Sequence, residues 1–220
     1  MTEVHASRAR MSASDRRSQL IEVALDVFSR QGFRGATTKE IAAQAGVAEG
    51  LIFRHFPSKE ALYTAVLDSR LNSPEEQKWL AEIRALMDRD DDEGVFRSII
   101  RHTIGRYTRD PRFERVVLFA ALEGHELGLA RLGETADPLI LSIIDYIARR
   151  QKAGALLQCE PNRIQLAIDG MAHFYGTVTQ IFRIPIPREP DEETIQVFTR
   201  LAMHGISQSK STNSRKKASK

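Results

Sequence analysis

The sequence predicts an all-α protein, and three observations support this fold class. Apolar residues recur at spacings of three and four through most of the chain, as on one face of a helix. Proline and glycine separate these segments. No stretch alternates apolar and polar residues at the roughly 8–12-residue spacing of successive strands. With 220 residues, 42% of them hydrophobic, the chain can bury a substantial core.

The composition also excludes several classes of protein. The longest unbroken apolar run, residues 116–122, is far shorter than the roughly 20 residues that span a bilayer. The N-terminal residues lack the apolar segment of a secretory signal. The single cysteine, Cys159, cannot form an internal disulfide or a multi-cysteine metal site, which indicates a reducing compartment. We therefore expect a cytoplasmic protein with no membrane partner, no metal and no cofactor.

The formal net charge of +3 comes from the C-terminal end of the chain. Residues 207–220 hold five basic residues and no acidic one, so the other 206 residues carry a net charge of −2. This Ser/Lys-rich segment is predicted to be a disordered basic tail, and residues 1–13 a flexible basic arm. Since a solubilising tail would have the same composition, the overall charge is weak support for nucleic-acid binding.

The first amphipathic helix is predicted to begin at Ser14 or Asp15 and to end at Gly32. Glycine at the C′ position accepts a left-handed backbone, and Phe33 would then pack on Phe28. The apolar positions of this helix share spacings of three and four and therefore one face. They are Leu20, Ile21, Ala24, Leu25, Val27 and Phe28.

Two short helices joined by a glycine turn are predicted to follow. Thr37 and Glu40 have the spacing of a capping box, which starts the second helix, and Gly46 ends that helix. The third helix is expected from about Glu49 to Phe56, where Pro57 halts it. Such a pair, braced by a preceding helix, is a helix-turn-helix.

Helical spacing separates two faces of this third helix. Ile52 and Phe56 are four residues apart and are expected to point inward. The opposite face carries Glu49, Gly50, Phe53 and Arg54. A helix-turn-helix places the N-terminal residues of its second helix against base edges in the major groove, which is about 12 Å wide. The pattern alone is only moderately specific for DNA binding, since other helical proteins contain helix–glycine–helix turns.

The amino-acid sequence of residues 32–67 is more specific for DNA binding than this pattern: GFRGATTKEIAAQAGVAEGLIFRHFPSKEALYTAVL. This segment resembles the DNA-binding signature of the TetR family of one-component transcriptional regulators, and the resemblance extends over roughly residues 15–67. It implies an all-helical homodimer with an N-terminal helix-turn-helix DNA-binding domain, predicted at 14–60. A C-terminal helical ligand-binding and dimerisation domain would occupy 61–206. Most members of this family are repressors that a small molecule releases from a near-palindromic double-stranded DNA operator.

The resemblance also implies which residues contact DNA. Thr38 and Lys39 would lie at the start of the helix that crosses the DNA backbone. Lys59, at the start of a fourth helix that begins at Ser58, would grip a phosphate. The full set that the resemblance assigns to DNA contact is Thr38, Lys39, Glu49, Gly50, Leu51, Phe53, Arg54, His55 and Lys59.

Three positions depart from the family pattern. Ala48 stands where a serine cap is frequent, and Phe53 stands where a tyrosine is frequent. Glu49 stands where a lysine or a small polar residue is common. In one interpretation the Glu49 carboxylate accepts a hydrogen bond from a cytosine amino group, and Leu51 contacts a thymine methyl group. In the other, Glu49 only stabilises the N-terminus of the helix and faces water.

Fewer hydrogen-bond donors on the recognition helix would leave more of the phosphate contacts to other basic residues. Lys39, Arg54 and Lys59 are candidates on the helices. The arm residues Arg8, Arg10, Arg16 and Arg17 are further candidates, since a disordered basic arm can enter the minor groove. A merely solvated N-terminus is the alternative interpretation of the same arginines.

Five or six further helices are predicted between residues 68 and 206. Residues 128–133 are interpreted as a loop, with Pro138 in the first turn of the next helix. A long helix from Pro161 to about Phe182 is apolar on two sides, which favours burial of one side against a second subunit. A closing helix is predicted from Asp191 to about Ile206.

The ligand chemistry is the least defined part of the sequence. A polar stripe that includes Asp169 and His173 suggests an anchor in an apolar pocket. The competing interpretation of Asp169 and His173 is an exposed ion pair. For Glu123 it is an acid at the edge of a helix bundle, and for the aromatic residues it is a place in the core. The predicted ligand-binding residues are Phe96, Phe119, Glu123, Tyr146, His173, Phe174 and Thr177.

The sequence favours a regulator over an enzyme. It contains no GxSxG, no phosphate-binding glycine loop and no HExxH motif, and its six histidines are scattered. We therefore expect no catalytic activity. The alternatives to a ligand-released repressor are a transcriptional activator and a helical dimer of the same fold with weakened DNA binding.

Overall fold

A computed structural model describes residues 11–184 and 191–206, and it confirms the all-α fold class. The regular elements of these residues are helices, with no β-strand among them. Helix α9 continues into a π-helical turn at Thr177–Ile181. The helices are α1 (Ala13–Gly35), α2 (Thr38–Ala45), α3 (Glu49–His55), α4 (Lys59–Leu71), α5 (Pro74–Asp88), α6 (Asp92–Arg109), α7 (Arg112–Glu123), α8 (Glu126–Lys152), α9 (Pro161–Gly176) and α10 (Asp191–Ile206).

Some predicted features lie outside the described residues. These are the basic tail at 207–220 and most of the basic arm, including Arg8 and Arg10. Within the part of the chain that the structure describes, none of the helices combines the length and the apolar character needed to cross a membrane.

The chain divides into two compact units, which we call the first and the second unit. The first contains Met1–Ser73 and Arg112–Leu132, and the second contains Pro74–Pro111 and Gly133–Lys220. The predicted functional boundary after residue 60 stays a prediction. The compact units follow a different division, because α4 and α7 both belong to the first unit.

In the first unit, α1 packs against α2, α4 and α7 around one apolar core. Aromatic rings form the centre of this core. The rings of Phe28 and Tyr63 meet edge to face with centroids 5.0 Å apart. The Phe33 ring lies 6.1 Å from Phe28, as predicted, and 5.1 Å from Tyr63.

Helix α1 begins slightly earlier than predicted and bends at the predicted glycine. The Ser12 hydroxyl accepts a hydrogen bond from the Asp15 backbone N–H at 3.0 Å and caps the helix. Gly32 has φ +70° and ψ −176°, a combination that is essentially restricted to glycine. This is not the left-handed helical cap that the sequence suggested, and the chain makes a further helical turn to Gly35.

In the second unit, α6 packs against α5, α9 and α10 around a separate core. The Asp91 carboxylate caps α6 by accepting from the Gly94 N–H at 2.9 Å. Arg150 forms hydrogen bonds with both oxygens of Asp92 at 2.8 and 2.9 Å. Acidic residues therefore form the N-terminus of α6. Helix α10, Asp191–Ile206, has the predicted bounds.

The predicted loop at 128–133 is wrong, because these residues belong to the single helix α8. His125 Nδ1 accepts from the Gly128 N–H at 3.0 Å and so supports the start of this helix. A Cβ atom added at Gly128 would lie only 3.1 Å from the Tyr63 ring, so glycine here permits close packing. Pro138 lies inside α8 instead of in its first turn. Composition alone does not distinguish a glycine of a loop from a glycine of a close helix contact.

Candidate nucleic-acid interface

The turn between α2 and α3 has the geometry that the sequence predicts. Thr37 caps α2 by accepting from the Glu40 N–H at 3.1 Å. Gly46 is left-handed, with φ +67° and ψ +36°. Its N–H donates to Ala43 O at 3.1 Å, and the Val47 N–H donates to Ala42 O at 3.0 Å. These two bonds define a Schellman motif, which fixes where α3 begins relative to α2.

Only half of the predicted capping box is formed. The Glu40 carboxylate accepts from Gln31 Nε2 at 2.5 Å and thereby ties α2 to α1. The side chain of Glu40 is therefore committed to a neighbouring helix. A sequence pattern of local residues does not reveal this competing partner.

Helix α3 presents two different faces, as its spacing predicts. Ile52 is fully buried and Phe56 is nearly so, at 0% and 2% exposure. The opposite face is exposed and carries Glu49, Gly50, Phe53 and Arg54. Phe53 keeps 48% of its surface accessible, so an apolar ring lies on this exposed face.

Glu49 has a partner that the sequence did not reveal. Thr38 Oγ1 donates to Glu49 Oε1 at 2.5 Å, so the first residues of α2 and α3 are joined directly. This bond restricts the rotamer of the carboxylate at the exposed face. Recognition of a cytosine by Glu49 stays a prediction, as does a contact of Thr38 or the exposed Lys39 with DNA. Leu51 and His55 are half-buried at the sides of the same face.

Lys59 is engaged within the first unit. Its ammonium donates to the backbone oxygens of Phe33 at 2.8 Å and Ala36 at 3.0 Å. It also lies 4.3 Å from the centroid of the Phe33 ring. The structure thus gives Lys59 a structural role that the sequence did not indicate. Its contact with a phosphate stays a prediction, and two of its three donors are already used.

Arg16 and Arg17, which the sequence grouped with the flexible arm, belong to α1. The Arg17 guanidinium lies over the Phe56 ring, 4.8 Å from its centroid. Arg16 donates to Gln19 Oε1 at 2.5 Å. Both arginines are therefore held on an ordered helix.

Phe119 and Glu123, predicted to bind a ligand, lie in the first unit against the bend of α1. The Glu123 carboxylate accepts from the N–H of Phe33 at 3.1 Å and of Arg34 at 3.2 Å. A Cβ atom at Gly32 would lie 2.9 Å from the Phe119 ring. Burial raises the pKa of the nearby Tyr63 to about 12, with the negative charge of Glu123 as a further cause. The only feature of the sequence that pointed to these contacts was the position of Glu123, an acidic residue on an otherwise apolar face of α7.

The other predicted ligand residues lie in the second unit, at both core and surface positions. Phe96 is fully buried in the core, whereas Phe174 is 70% exposed. Tyr146 donates its hydroxyl to the Asp92 carboxylate, and burial together with this bond raises the pKa of Tyr146. The seven predicted ligand residues thus divide between the two units and between core and surface positions. Their contact with a ligand stays a prediction.

His173 and Thr177 are brought together by Tyr107, a residue that the sequence did not single out. The Tyr107 hydroxyl lies 3.2 Å from His173 Nδ1 and 3.1 Å from Thr177 Oγ1. One turn away, burial raises the pKa of Asp169, and the neighbouring His173 opposes this shift. The polar stripe thus packs against α6 and is not a simple exposed pair.

The second unit also has a polar groove between α5 and α6, with a volume of about 360 Å³. The Trp79 and His102 rings stack there with centroids 3.7 Å apart. Its walls carry charges of both signs, from Lys78, Arg101, Arg109, Glu75 and Glu82. No cluster of side chains suited to a metal ion occurs among the residues described by the structure.

Comparison with known proteins agrees with this geometry. The family described as "Bacterial regulatory proteins, tetR family" matches residues 20–66, which include α2, α3 and most of α4. The HTH-type transcriptional regulator RutR of Escherichia coli (strain K12) is 28% identical over 201 residues, 89% of this chain and 92% of RutR.

Two solved structures show the same fold at low sequence identity. Native NalD, the secondary repressor of the MexAB-OprM multidrug efflux pump in Pseudomonas aeruginosa, superposes with a TM-score of 0.69 and 17% identity over 90% of this chain and 99% of NalD. AibR in complex with isovaleryl coenzyme A and operator DNA has a TM-score of 0.63 and 19% identity over 84% of this chain and 97% of AibR.

Proposed function

The chain belongs to the tetR family of bacterial regulatory proteins and is a helix-turn-helix transcriptional regulator; we propose that it is a cytoplasmic repressor that a small molecule releases from DNA. It binds a near-palindromic operator as a homodimer and has no catalytic activity of its own. The proposal is supported by NalD, which is a repressor, and by AibR, which was solved with both a ligand and operator DNA.

One observation carries the DNA-binding part of this proposal: the exposed face of α3 lies opposite its buried anchors. Ile52 and Phe56 hold the helix to the core, so Gly50, Phe53 and Arg54 are free to enter a major groove. A Cβ atom at Gly50 would meet no other described atom within 4 Å. This open site permits a close approach of the helix backbone to DNA.

Exposed apolar side chains on α9 and α10 support the homodimer. Leu166 and Phe174 on α9 are each 70% exposed, and Leu201 on α10 is 61% exposed. Large apolar patches on a soluble protein commonly mark an interface. A two-fold dimer would present two copies of α3 to half-sites about 34–36 Å apart.

Glu49 favours one alternative, a dimer of this fold with weakened DNA binding. Its carboxylate lies on the exposed face of α3, where a polyanion would repel it. The bond from Thr38 holds the charge there without removing it. DNA binding across a salt series separates the two functions. A repressor prefers one sequence over others, and its log affinity for that sequence falls steeply with log salt, whereas the weakened dimer shows no preferred sequence.

We expect Arg54→Ala to weaken binding to the operator, sought in the DNA upstream of the protein's own gene. The loss of one phosphate contact lowers the slope of log affinity against log salt by about 1. Arg84→Ala, which removes an exposed charge from α5, is the matched control and leaves the slope unchanged. If the wild-type chain bound all DNA sequences equally, this result would contradict the proposed repressor function. It would favour the alternative, a dimer of this fold with weakened DNA binding. An unchanged slope for Arg54→Ala would remove Arg54 from the interface.

We expect Gly50→Ala to separate stability from DNA binding. Alanine gains roughly 0.5–1 kcal/mol over glycine in a helix, and the site has room for the methyl group. The same methyl group would keep the backbone of α3 away from the base edges, so operator affinity falls. Urea denaturation and DNA titration measure the two effects. Unchanged operator affinity would show that the backbone does not approach the DNA at this residue.

A further inference from the structure

The chain between the bend of α1 and the start of α2 is held by two side chains of opposite charge. From α7, the Glu123 carboxylate accepts from the N–H of Phe33 at 3.1 Å and of Arg34 at 3.2 Å. From α4, the Lys59 ammonium donates to the oxygens of Phe33 and Ala36. Both backbone polar groups of Phe33 are therefore bound by charged side chains that are distant in sequence. Hydrogen bonds to charged groups are stronger than those between neutral groups.

The backbone at Gly32 makes this arrangement possible. Its φ of +70° interrupts α1, and the next two N–H groups consequently face Glu123. A Cβ atom at Gly32 would overlap Glu123 Oε1. Glycine thus provides both the backbone conformation and the space that the carboxylate occupies.

The held segment leads directly into the DNA-binding helices. Ala36 is buried at 1% exposure, and the next residue, Thr37, caps α2. Directly after α2, the Schellman turn at Gly46 leads into α3, which begins three residues later at Glu49. Each connection is short and hydrogen-bonded, so a change in direction at Phe33 is transmitted to the exposed face of α3.

We infer that Glu123 is a positioning residue for DNA recognition. Its carboxylate sets the direction in which the chain enters the helix-turn-helix, and α7 thereby sets the orientation of α3. The inference rests on the proposed function, since it assigns a role in operator binding to a residue on α7. Glu123 does this through the backbone of α1, without touching DNA.

The test compares Glu123→Ala and Glu123→Gln with Glu126→Ala, which removes an exposed carboxylate three residues along the chain. Glu123→Ala is expected to lower specific operator affinity about tenfold, as the loss of a helix cap would. Affinity for nonspecific DNA and the dimeric state stay within twofold of the wild type. Glu123→Gln keeps one acceptor oxygen and has an intermediate effect, and Glu126→Ala has none.

Hydrogen exchange at the Phe33 and Arg34 amides supplies a readout that global stability does not control. Faster exchange at these amides in Glu123→Ala, with unchanged protection of the core of α1, supports local positioning. Unchanged operator affinity overturns the inference. A parallel loss of specific binding, nonspecific binding and thermal stability in both Glu123 variants also overturns it, because Glu123 would then only stabilise the fold. A wild-type chain without operator binding would refute the proposed function instead, and amide exchange would still show whether Glu123 holds this segment.

Discussion

Gly32→Ala is expected to lower the free energy of unfolding by about 2–6 kcal/mol and to abolish operator binding. Two penalties add. The conformation at φ +70° and ψ −176° costs a residue with a Cβ atom about 1–3 kcal/mol. The methyl group would also overlap Glu123 Oε1 and lie 2.9 Å from Phe119 Cδ1, and such overpacking costs about 1–3 kcal/mol.

Gly46 offers the matched control for this substitution. Its φ of +67° is also positive, but no described atom lies within 4 Å of an added Cβ. Gly46→Ala therefore measures backbone strain alone, about 1–2 kcal/mol. Gly46→Asn should be milder, because asparagine tolerates the left-handed helical region.

Urea denaturation of these variants separates backbone strain from steric overlap. Gly32→Asn should be no milder than Gly32→Ala, since asparagine does not relieve the overlap with Glu123. If Gly32→Ala proved as stable as the wild type, the bend of α1 would have to adjust freely. That result would also remove the basis for a fixed entry into α2.

Gly176→Ala is expected to destabilise the second unit by about 3 kcal/mol. Gly176 has an ordinary helical conformation, so the effect is purely steric. A Cβ atom would overlap Cγ and Cδ2 of the Tyr107 ring and lie 2.9 Å from Cδ1. Tyr107 is buried and hydrogen-bonded to His173 and Thr177, and it cannot move aside without losing these bonds.

A double-mutant cycle with Tyr107→Ala tests this mechanism. With the ring removed, Gly176→Ala should cost less than about 1 kcal/mol, which is the signature of two coupled neighbours. Tyr107→Phe removes the hydroxyl but keeps the ring, so it should not relieve the overlap. Trp79, the single tryptophan of the chain, lies in the second unit, and its fluorescence follows the unfolding of that unit. Equal costs of Gly176→Ala with and without the ring would contradict the steric explanation.

Features that depend on neighbouring residues were predictable from the sequence. The Schellman turn at Gly46, the Thr37 cap and the inward direction of Ile52 and Phe56 all follow from spacings of a few residues. The family resemblance over these same residues was equally local, and it was confirmed. Short-range backbone geometry limits each of these features to very few alternatives.

Features that depend on distant partners were not predictable in the same way. Gly128 was interpreted as a loop residue, although the approach of the Tyr63 ring is the reason for a glycine inside α8. Lys59 was assigned to a phosphate, and Glu123 to a ligand. A single sequence shows that a charge is present but does not show which buried backbone group will bind it.

The helical fold, the helix-turn-helix and the exposed face of α3 thus follow from the amino-acid sequence, because caps, glycines and apolar spacing act within one or two helical turns. Helix packing was needed to show that Glu123 and Lys59 hold Phe33, and that Tyr107 joins His173 to Thr177. The pairs are separated by 90, 26, 66 and 70 residues along the chain. Such contacts exist only after the helices have packed, since packing alone brings a charge or a hydroxyl to a particular backbone or side-chain partner.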